Sequence, residues 1–336
     1  FAIMKGFDFT GVASPLVNFQ YHMYGATMGD LKVYANGDLI HTISGQQQAS
    51  NAAAWLTTAD IDLTAYAGNN KVVLEFIGTT GSDFTSDIAI DNITIDQSAS
   101  DFTWTGAAGD GNWTNGANWD SGSTPSSSDN CIIPAGVPTD IQVGGDCANL
   151  TMDVASNFMM HAGTINVSGD LTSNDAIVIN DGKLDVAGSA SINRGATLGV
   201  PTSEIEVDGA TTLGSNYVLA INDGLFDANG NFDATVNPPT FPNADITFTS
   251  NGLLELAGGT NYLGDLSTTA GTVTYDGATQ DVVSDTYYNL VISSGTHTAG
   301  GAIVANGALT VSGTLALGSN SATVSGATDI NGTLTI

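Results

Sequence analysis

The segment Gly163-Thr164-Ile165-Asn166-Val167-Ser168-Gly169 has a second copy, Gly182-Lys183-Leu184-Asp185-Val186-Ala187-Gly188, that begins 19 residues later. In both copies, two glycines enclose a pair of apolar residues that alternate with polar ones. The same pattern recurs over residues 224–230, 252–258, 271–277 and 307–313, and the copy at 224–230 is the weakest match. A period of about 19 residues is too short for a helix pair or a propeller blade, and it fits one coil of a parallel β-helix.

This repeat predicts how the side chains are arranged. Alternate residues such as Ile165 and Val167 point inward and stack on the next coil, whereas Thr, Ser and Asn point outward. Residues 147–336 then form a parallel β-solenoid of about ten coils, roughly 50 Å long at about 4.8 Å per coil. The proline-rich insertion at 236–242 is expected to loop out, because proline cannot sit in a central ladder.

Charge and composition exclude several classes of partner. The chain of 336 residues has 34 acidic residues against 5 basic ones, for a formal net charge of -29. So few cations cannot neutralise a phosphate backbone, which excludes nucleic acid as a partner. No apolar run approaches the roughly 18 residues that a membrane helix needs, so the chain is not expected to be membrane-inserted. Most of the acids are aspartates, which favour turns over helices.

Residues 1–97 have a different pattern from the repeats. Their strands are longer and alternate apolar with polar side chains over residues 17–24, 31–34, 72–77 and 88–95. Turn sequences such as Ala35-Asn36-Gly37-Asp38 separate them. Alternation bounded by Asn/Gly turns predicts an antiparallel β-sandwich.

This first segment resembles a MAM domain. The likeness starts at Phe19-Gln20-Tyr21-His22-Met23-Tyr24-Gly25 and closes at Asp87-Ile88-Ala89-Ile90-Asp91-Asn92-Ile93, with matching segments between them at residues 28–34, 55, 62–68 and 76–82. The resemblance implies an extracellular jelly-roll sandwich that is incomplete at its N-terminus. It also implies a cation site beside the closing motif, with Asp87 and Asp91 as ligands. Solvated edge carboxylates are the alternative interpretation of these two residues.

Three tryptophans, Trp104, Trp113 and Trp119, fall within sixteen residues of a predicted junction over residues 98–146. Such rings either stack on sugar faces, which makes Trp113 and Trp119 candidate ligand-binding residues, or cover the open end of a stacked β core. The second interpretation is favoured, because an uncapped solenoid exposes unpaired backbone. The arrangement resembles the tryptophan-rich segment that precedes solenoid repeats in large surface proteins of Bacteroidota.

Cys131 and Cys147 are the only cysteines and lie 16 residues apart. Two free thiols, a disulfide and half of a metal site are the alternatives. A disulfide is favoured, since the spacing is close to one coil and the composition is that of an extracellular protein.

The best acidic cluster of the repeats consists of Asp223, Asp227 and Asp233. Asp227, Asn229, Asn231 and Asp233 have the spacing of a calcium loop but lack its closing glutamate, so turn carboxylates are the alternative. Calcium is therefore the only cofactor considered. A lyase would need a basic residue, and none follows Arg194. No nucleophile elbow, zinc motif or phosphate loop is present.

These observations predict a non-enzymatic structural or adhesive segment of a large secreted protein, used as an adhesin or filament stalk in surface attachment or gliding. The combination resembles giant Bacteroidota surface proteins, including gliding-motility adhesins exported by the type IX secretion system. The resemblance implies a bacterial cell-surface location, contact with an extracellular substratum or polysaccharide, and secretion-system components as partners. The alternative is a carbohydrate-active β-helix enzyme or a polysaccharide-binding module.

Overall fold

The computed structural model describes residues 1–10, 12, 14–81, 85–97, 99–235, 243–249 and 251–336. The predicted insertion at 236–242 lies outside the described residues, as does Ser82 of the MAM-like pattern. The all-β class is confirmed: antiparallel sheets come first and a parallel solenoid follows. Chain contacts separate two compact units, Phe1–Ser100 and Asp101–Ile336.

Helix is almost absent from the described residues. Two short 3₁₀ helices occur there, at Thr64–Tyr66 and Gly116–Asn118. Within the same residues, no helix has the length and apolar character needed to cross a bilayer.

The described part of the first unit forms two four-stranded antiparallel sheets. In chain order its strands are β1 (Ala2–Phe7), β2 (Pro15–Tyr24), β3 (Met28–Ala35), β4 (Asp38–Ser44), β5 (Leu56–Thr57), β6 (Ile61–Asp62), β7 (Val72–Thr80) and β8 (Asp87–Gln97). One sheet has the order β1-β7-β3-β4, and in the other β2 pairs with β5, β6 and β8. Phe19 of β2 meets Phe76 of β7 edge to face, with ring centroids 5.2 Å apart, so both sheets share one core.

The predicted turn between β3 and β4 is confirmed. Ala35 pairs with Asp38, and the two residues between them have positive φ, 49° at Asn36 and 94° at Gly37. Asn-Gly accepts these angles more easily than other pairs, which makes it the preferred two-residue hairpin turn.

The second unit winds through three parallel ladders, which we call A, B and C. Ladder A contains β9 (Asp101–Thr103), β10 (Asn130–Ile133), β13 (Leu150–Met152), β16 (Leu171–Ser173), β19 (Ala190–Ile192), β22 (Thr211–Leu213), β25 (Phe232–Asp233) and β28 (Asn261–Tyr262). Ladder B contains β11 (Thr139–Ile141), β14 (Phe158–Met160), β17 (Ile177–Ile179), β20 (Ala196–Leu198), β23 (Val218–Ile221), β26 (Asp245–Thr247) and β29 (Asp265–Leu266).

Ladder C has ten strands, more than any other ladder of the described residues. It contains β12 (Gly145–Cys147), β15 (Thr164–Val167), β18 (Gly182–Val186), β21 (Ser203–Val207), β24 (Leu225–Ala228), β27 (Leu253–Leu256), β30 (Thr272–Tyr275), β33 (Asn289–Ile292), β36 (Leu309–Val311) and β39 (Thr328–Ile330). In the later coils two other ladders replace A and B. Their strands are β31 (Thr279–Val282), β34 (Thr296–Ala299), β37 (Thr314–Ala316) and β40 (Thr333–Thr335), and β32 (Thr286–Tyr287), β35 (Ile303–Ala305) and β38 (Ala322–Val324).

The register of ladder C confirms the inward stacking that the repeat predicts. Ile165 pairs with Leu184, and Leu184 pairs with Ile205, so the first apolar residue of each repeat forms a buried column. The second apolar residue forms a parallel column that includes Val167 and Val186. Burying each such side chain contributes about 1.5–3 kcal/mol, which offsets the entropy lost on ordering the coil.

The solenoid begins earlier than residue 147. The strands β9 and β10 already pair in ladder A, and β12 starts ladder C at Gly145. Residues 101–146, most of the predicted junction, thus form the first coil and its covering loops within the second unit.

Candidate functional site

The tryptophans of the predicted junction form one packed cluster. Trp113 and Trp119 are 1% and 2% exposed, and their rings meet edge to face at 4.7 Å. Trp104 stacks on Trp113 at 5.9 Å. A Cβ atom at Gly145 would collide with the Trp113 ring, so glycine lets the cluster lie directly on the first strand of ladder C. Neither Trp113 nor Trp119 presents a ring face to an external sugar, and both lie where a cover for the end of the core is needed.

The two cysteines are free thiols, and both are buried. They belong to one coil, with Cys131 on β10 in ladder A and Cys147 on β12 in ladder C. The favoured disulfide is therefore not formed in this structure, where the two side chains are neighbouring thiols inside one coil. Burial, together with the neighbouring Cys147 thiol, raises the pKa of the Cys131 thiol well above its usual range.

The structure does not bring Asp87 and Asp91 together as cation ligands. Both lie on β8, four residues apart, so their Cα atoms are separated by roughly 13 Å. That distance is too long for both carboxylates to reach one ion. The Asp91 carboxylate accepts the backbone N–H of Asn92 at 2.8 Å instead.

The predicted calcium loop is also dispersed. Asp227 lies in ladder C and Asp233 in ladder A. The Asp233 carboxylate accepts hydrogen bonds from Thr235, and the Asn231 side-chain oxygen accepts the Thr260 N–H. Asn229 donates its side-chain N–H groups to carboxylates of the preceding coil. The oxygens therefore do not converge on one point, and the described residues contain no group of three or more acidic, His or Cys residues arranged to hold a metal.

The structure reveals a different feature, a column of acidic side chains on ladder C that we call the acid column. Its members are stacked in register on four successive coils: Asp185, Glu206, Asp227 and Glu255. Each lies between the two inward apolar residues of its repeat, and so points outward. Sequence reasoning missed this column because the copy that contains Glu206 begins with Ser203 in place of a glycine, so it was not recognised as a repeat between those of Asp185 and Asp227.

Lys183 provides a positive charge at the first end of the acid column. Its ammonium group is 3.0 Å from the Glu204 carboxylate and 3.7 Å from that of Asp185, and it also bonds Glu206. Burial lowers the pKa of Lys183, but the hydrogen bonds to Glu206 and Glu204 outweigh it, so the pKa rises above the usual range of a lysine. At this end of the acid column, the lysine therefore neutralises part of the negative charge.

The far end of the acid column lacks such compensation. Burial, and then the charges of Glu255, Asp276 and Glu206, raise the pKa of Asp227 to about 7. Burial followed by the charge of Asp276 raises the pKa of Glu255 in the same direction. One oxygen of Asp227 is buried without a hydrogen-bond partner among the described residues. A carboxyl group of this kind is partly protonated near neutral pH, so it can release or accept a proton there.

Comparison with known proteins identifies no relative: no protein family, curated protein or solved structure matches this chain. The candidate site must therefore be interpreted from its own geometry.

Proposed function

We propose that this chain is a non-enzymatic structural or adhesive segment of a large secreted cell-surface protein, serving as an adhesin or as the stalk of a filament. One observation carries the proposal: ladder C continues in parallel register through ten strands, and two buried apolar columns lie beneath it from Ile165 and Val167 to Leu309 and Val311. At about 4.8 Å per strand this ladder is about 43 Å long. Stacked coils provide length and a repeated outer surface without requiring a reaction centre.

The surface charge supports a role exposed to solvent. The acid column and the net charge of -29 keep a repetitive β surface hydrated, and mutual repulsion opposes edge-to-edge association between rods. The resemblances to a MAM domain and to gliding-motility adhesins of Bacteroidota belong to this proposal, as do export by a type IX system and a calcium-containing exterior. They rest on the sequence patterns described above.

Immunolabelling of the source cells tests this proposal. Antibodies raised against the full chain should label intact cells, and deletion of its coding segment should reduce attachment to a surface. Labelling that requires permeabilised cells, together with normal attachment of the deletion strain, would overturn the proposal. A second deletion that removes an unrelated secreted protein serves as the control for general effects on the cell surface.

The alternative, a carbohydrate-active enzyme, is less well supported. Stacked carboxylates of neighbouring coils, about 4.8 Å apart in backbone spacing, have a separation comparable to the roughly 5–5.5 Å of retaining glycosidases. However, the predicted aromatic platform is buried in the tryptophan cluster. Incubation with pectin, alginate and xylan distinguishes the two proposals: released oligosaccharide that disappears in Asp227→Asn would favour the enzyme.

A further inference from the structure

The core of the first unit is open along one side, between β1 and β8. Ile3, Lys5 and Phe7 pair with buried residues of β7, so their side chains project from the face of the first sheet that forms the core. On β8, Ile95 pairs with a buried residue of β2, which places Ile95 and Ile93 on the core face of the second sheet. Yet Ile3 is 46% exposed and Ile93 is 37% exposed. Apolar side chains that face a core but remain in water mark a place where a further element can pack.

We call the gap between these five residues the edge groove. Two cavities lie in it, of about 240 Å³ and about 270 Å³, and Phe7 borders both. Ile3, Lys5 and Ile93 line the first cavity, and Ile95 lines the second. From Ile3 to Phe7 the groove follows β1 for about 13 Å, which is the length of a short strand.

Both strands that border the edge groove have a free backbone edge. Among the described residues, β1 pairs only with β7, and β8 pairs only with β2. Phe1 and Gly78 exchange backbone hydrogen bonds. Because such pairs alternate along an antiparallel ladder, Ala2, Met4 and Gly6 direct their N–H and C=O groups away from β7. Edges of this kind are templates for a further strand.

The charges along the edge groove differ between its two ends. Lys5 is exposed on the core face and forms no ion pair with the described residues. Asp8 and Asp96 line the second cavity, and each carboxylate accepts a backbone N–H at 2.9 Å, from Thr10 and Gln97 respectively. An acidic residue opposite Lys5 and a basic residue at the aspartate end therefore complement the groove.

We propose that the edge groove binds a β-strand of a partner protein, which pairs antiparallel with β1 and covers the open side of the core. The strand has alternate apolar residues that face the core, an acidic residue opposite Lys5, and a basic residue near Asp8 and Asp96. A second copy of this chain is disfavoured, because two chains with a net charge of -29 each repel one another. The groove lies in the first unit and is independent of the stalk function proposed for the solenoid.

Synthetic peptides titrated into the full chain test this proposal. The peptide Lys-Lys-Val-Thr-Glu-Thr-Val-Thr places its glutamate opposite Lys5, its valines opposite Ile3 and Phe7, and its lysines at the aspartate end. Fluorescence anisotropy of the labelled peptide should show saturable binding. The isomer Lys-Glu-Val-Thr-Lys-Thr-Val-Thr has the same net charge and should bind at least about tenfold more weakly, because like charges then face each other. Proline in place of the threonine after the glutamate removes the N–H that donates to the Met4 carbonyl, and should weaken binding about tenfold.

Charge reversal connects binding to the edge groove. Lys5→Glu should weaken the first peptide at least about tenfold. Lys71→Glu has the same net charge and changes an exposed residue of the first unit outside the groove, so it is the matched control and should bind the first peptide normally. The peptide Lys-Lys-Val-Thr-Lys-Thr-Val-Thr should bind Lys5→Glu at least about tenfold more tightly than Lys71→Glu.

Three results would overturn the proposal. The first peptide could fail to bind, which would show that Lys5 keeps the edge free of partners. The two charge isomers could bind equally well. Analytical ultracentrifugation of the chain without peptide could show a dimer that Met4→Pro abolishes, which would make a second copy the occupant of the groove.

Discussion

The indole N–H of Trp119 donates to the backbone carbonyl oxygen of Trp113 at 2.8 Å, inside the cluster that covers the first coil. Trp113 in turn donates to the carbonyl of Asp146 on β12. The loops that carry these rings are therefore attached by directional bonds to the beginning of ladder C. A cover fixed in this way protects the apolar columns where no further coil stacks on them.

Replacement of Trp119 should destabilise the second unit strongly. We expect Trp119→Ala to lower its free energy of unfolding by about 3–5 kcal/mol, because a large buried ring and its hydrogen bond are both lost. Denaturant titration followed by circular dichroism measures the change. Trp55→Ala, at a ring that is 43% exposed, is the control and should cost far less. Equal effects of the two variants would contradict the structural role of the cluster.

The acid column should make stability depend on pH. The pKa of Asp227 is raised from 3.8 to about 7 in the folded chain, so the protonated form is the one that folding favours. The stability that the protonated Asp227 carboxyl group contributes to the folded chain is fully present below about pH 4. It is lost as the pH rises through about 7. Asp227→Asn should therefore flatten this decline and gain about 1–2 kcal/mol at pH 8, allowing for partial solvent screening.

Thermal unfolding between pH 4 and pH 8 measures the effect of Asp227→Asn. Asp329→Asn is the matched control, since Asp329 lies in the same ladder at an exposed position. Its profile should follow that of the unmodified chain. An unchanged slope in Asp227→Asn would show that other acids determine the pH dependence.

Lys183 should contribute more to the stability of the folded chain than an ordinary surface lysine. Lys183→Met leaves Glu204, Glu206 and Asp185 without their shared cation, and we expect a loss of about 1–3 kcal/mol. The loss should shrink as sodium chloride is added, because salt screens the remaining repulsion. Lys32→Met removes an exposed pair with Asp30 and should cost less than about 1 kcal/mol. Denaturant titration of both variants at low and high salt measures these losses of stability. If the loss in Lys183→Met did not depend on salt, charge compensation by this lysine would be contradicted.

The cysteines should be unreactive while the chain is folded. Both thiols are buried, and the raised pKa of Cys131 keeps that thiol protonated, so little nucleophilic thiolate is present. We expect iodoacetamide to modify the native chain at least ~100-fold more slowly than the unfolded chain, because reaction requires local opening. Mass spectrometry of time points measures the modification. The variant Cys131→Ser retains one thiol and shows whether Cys147 alone is equally protected. Rapid modification of the native, unmodified-sequence chain by iodoacetamide would contradict the burial of the two thiols.

The sequence predicted the solenoid well because its signal is repeated. The spacing from Gly163 to Gly182 shows the coil length, and the alternation of Ile165 with Val167 shows which side chains are buried. Each further coil repeats the same evidence. The antiparallel strands of the first unit were likewise predicted from alternation and from the Asn36-Gly37 turn. The MAM resemblance stays a prediction.

The candidate sites were harder to predict, because they depend on register. Asp227 was placed in a calcium loop by its neighbours along the chain, whereas its important neighbours are Glu206 and Glu255 on adjacent coils. A comparison, from repeat to repeat, of the residue that lies between the two apolar positions would have revealed the acid column. The indole N–H of Trp104, which is buried without a hydrogen-bond partner among the described residues, has no signal in the sequence.

The pairing of each coil with its two neighbours restricts how such a chain can change in length during evolution. Duplication or loss of a whole coil preserves every column, because the new neighbours present the same residues to each other. An insertion of one residue within a strand reverses the alternation and turns buried side chains outward. Relatives of this protein should therefore differ mainly by whole coils, with irregular insertions confined to the turns.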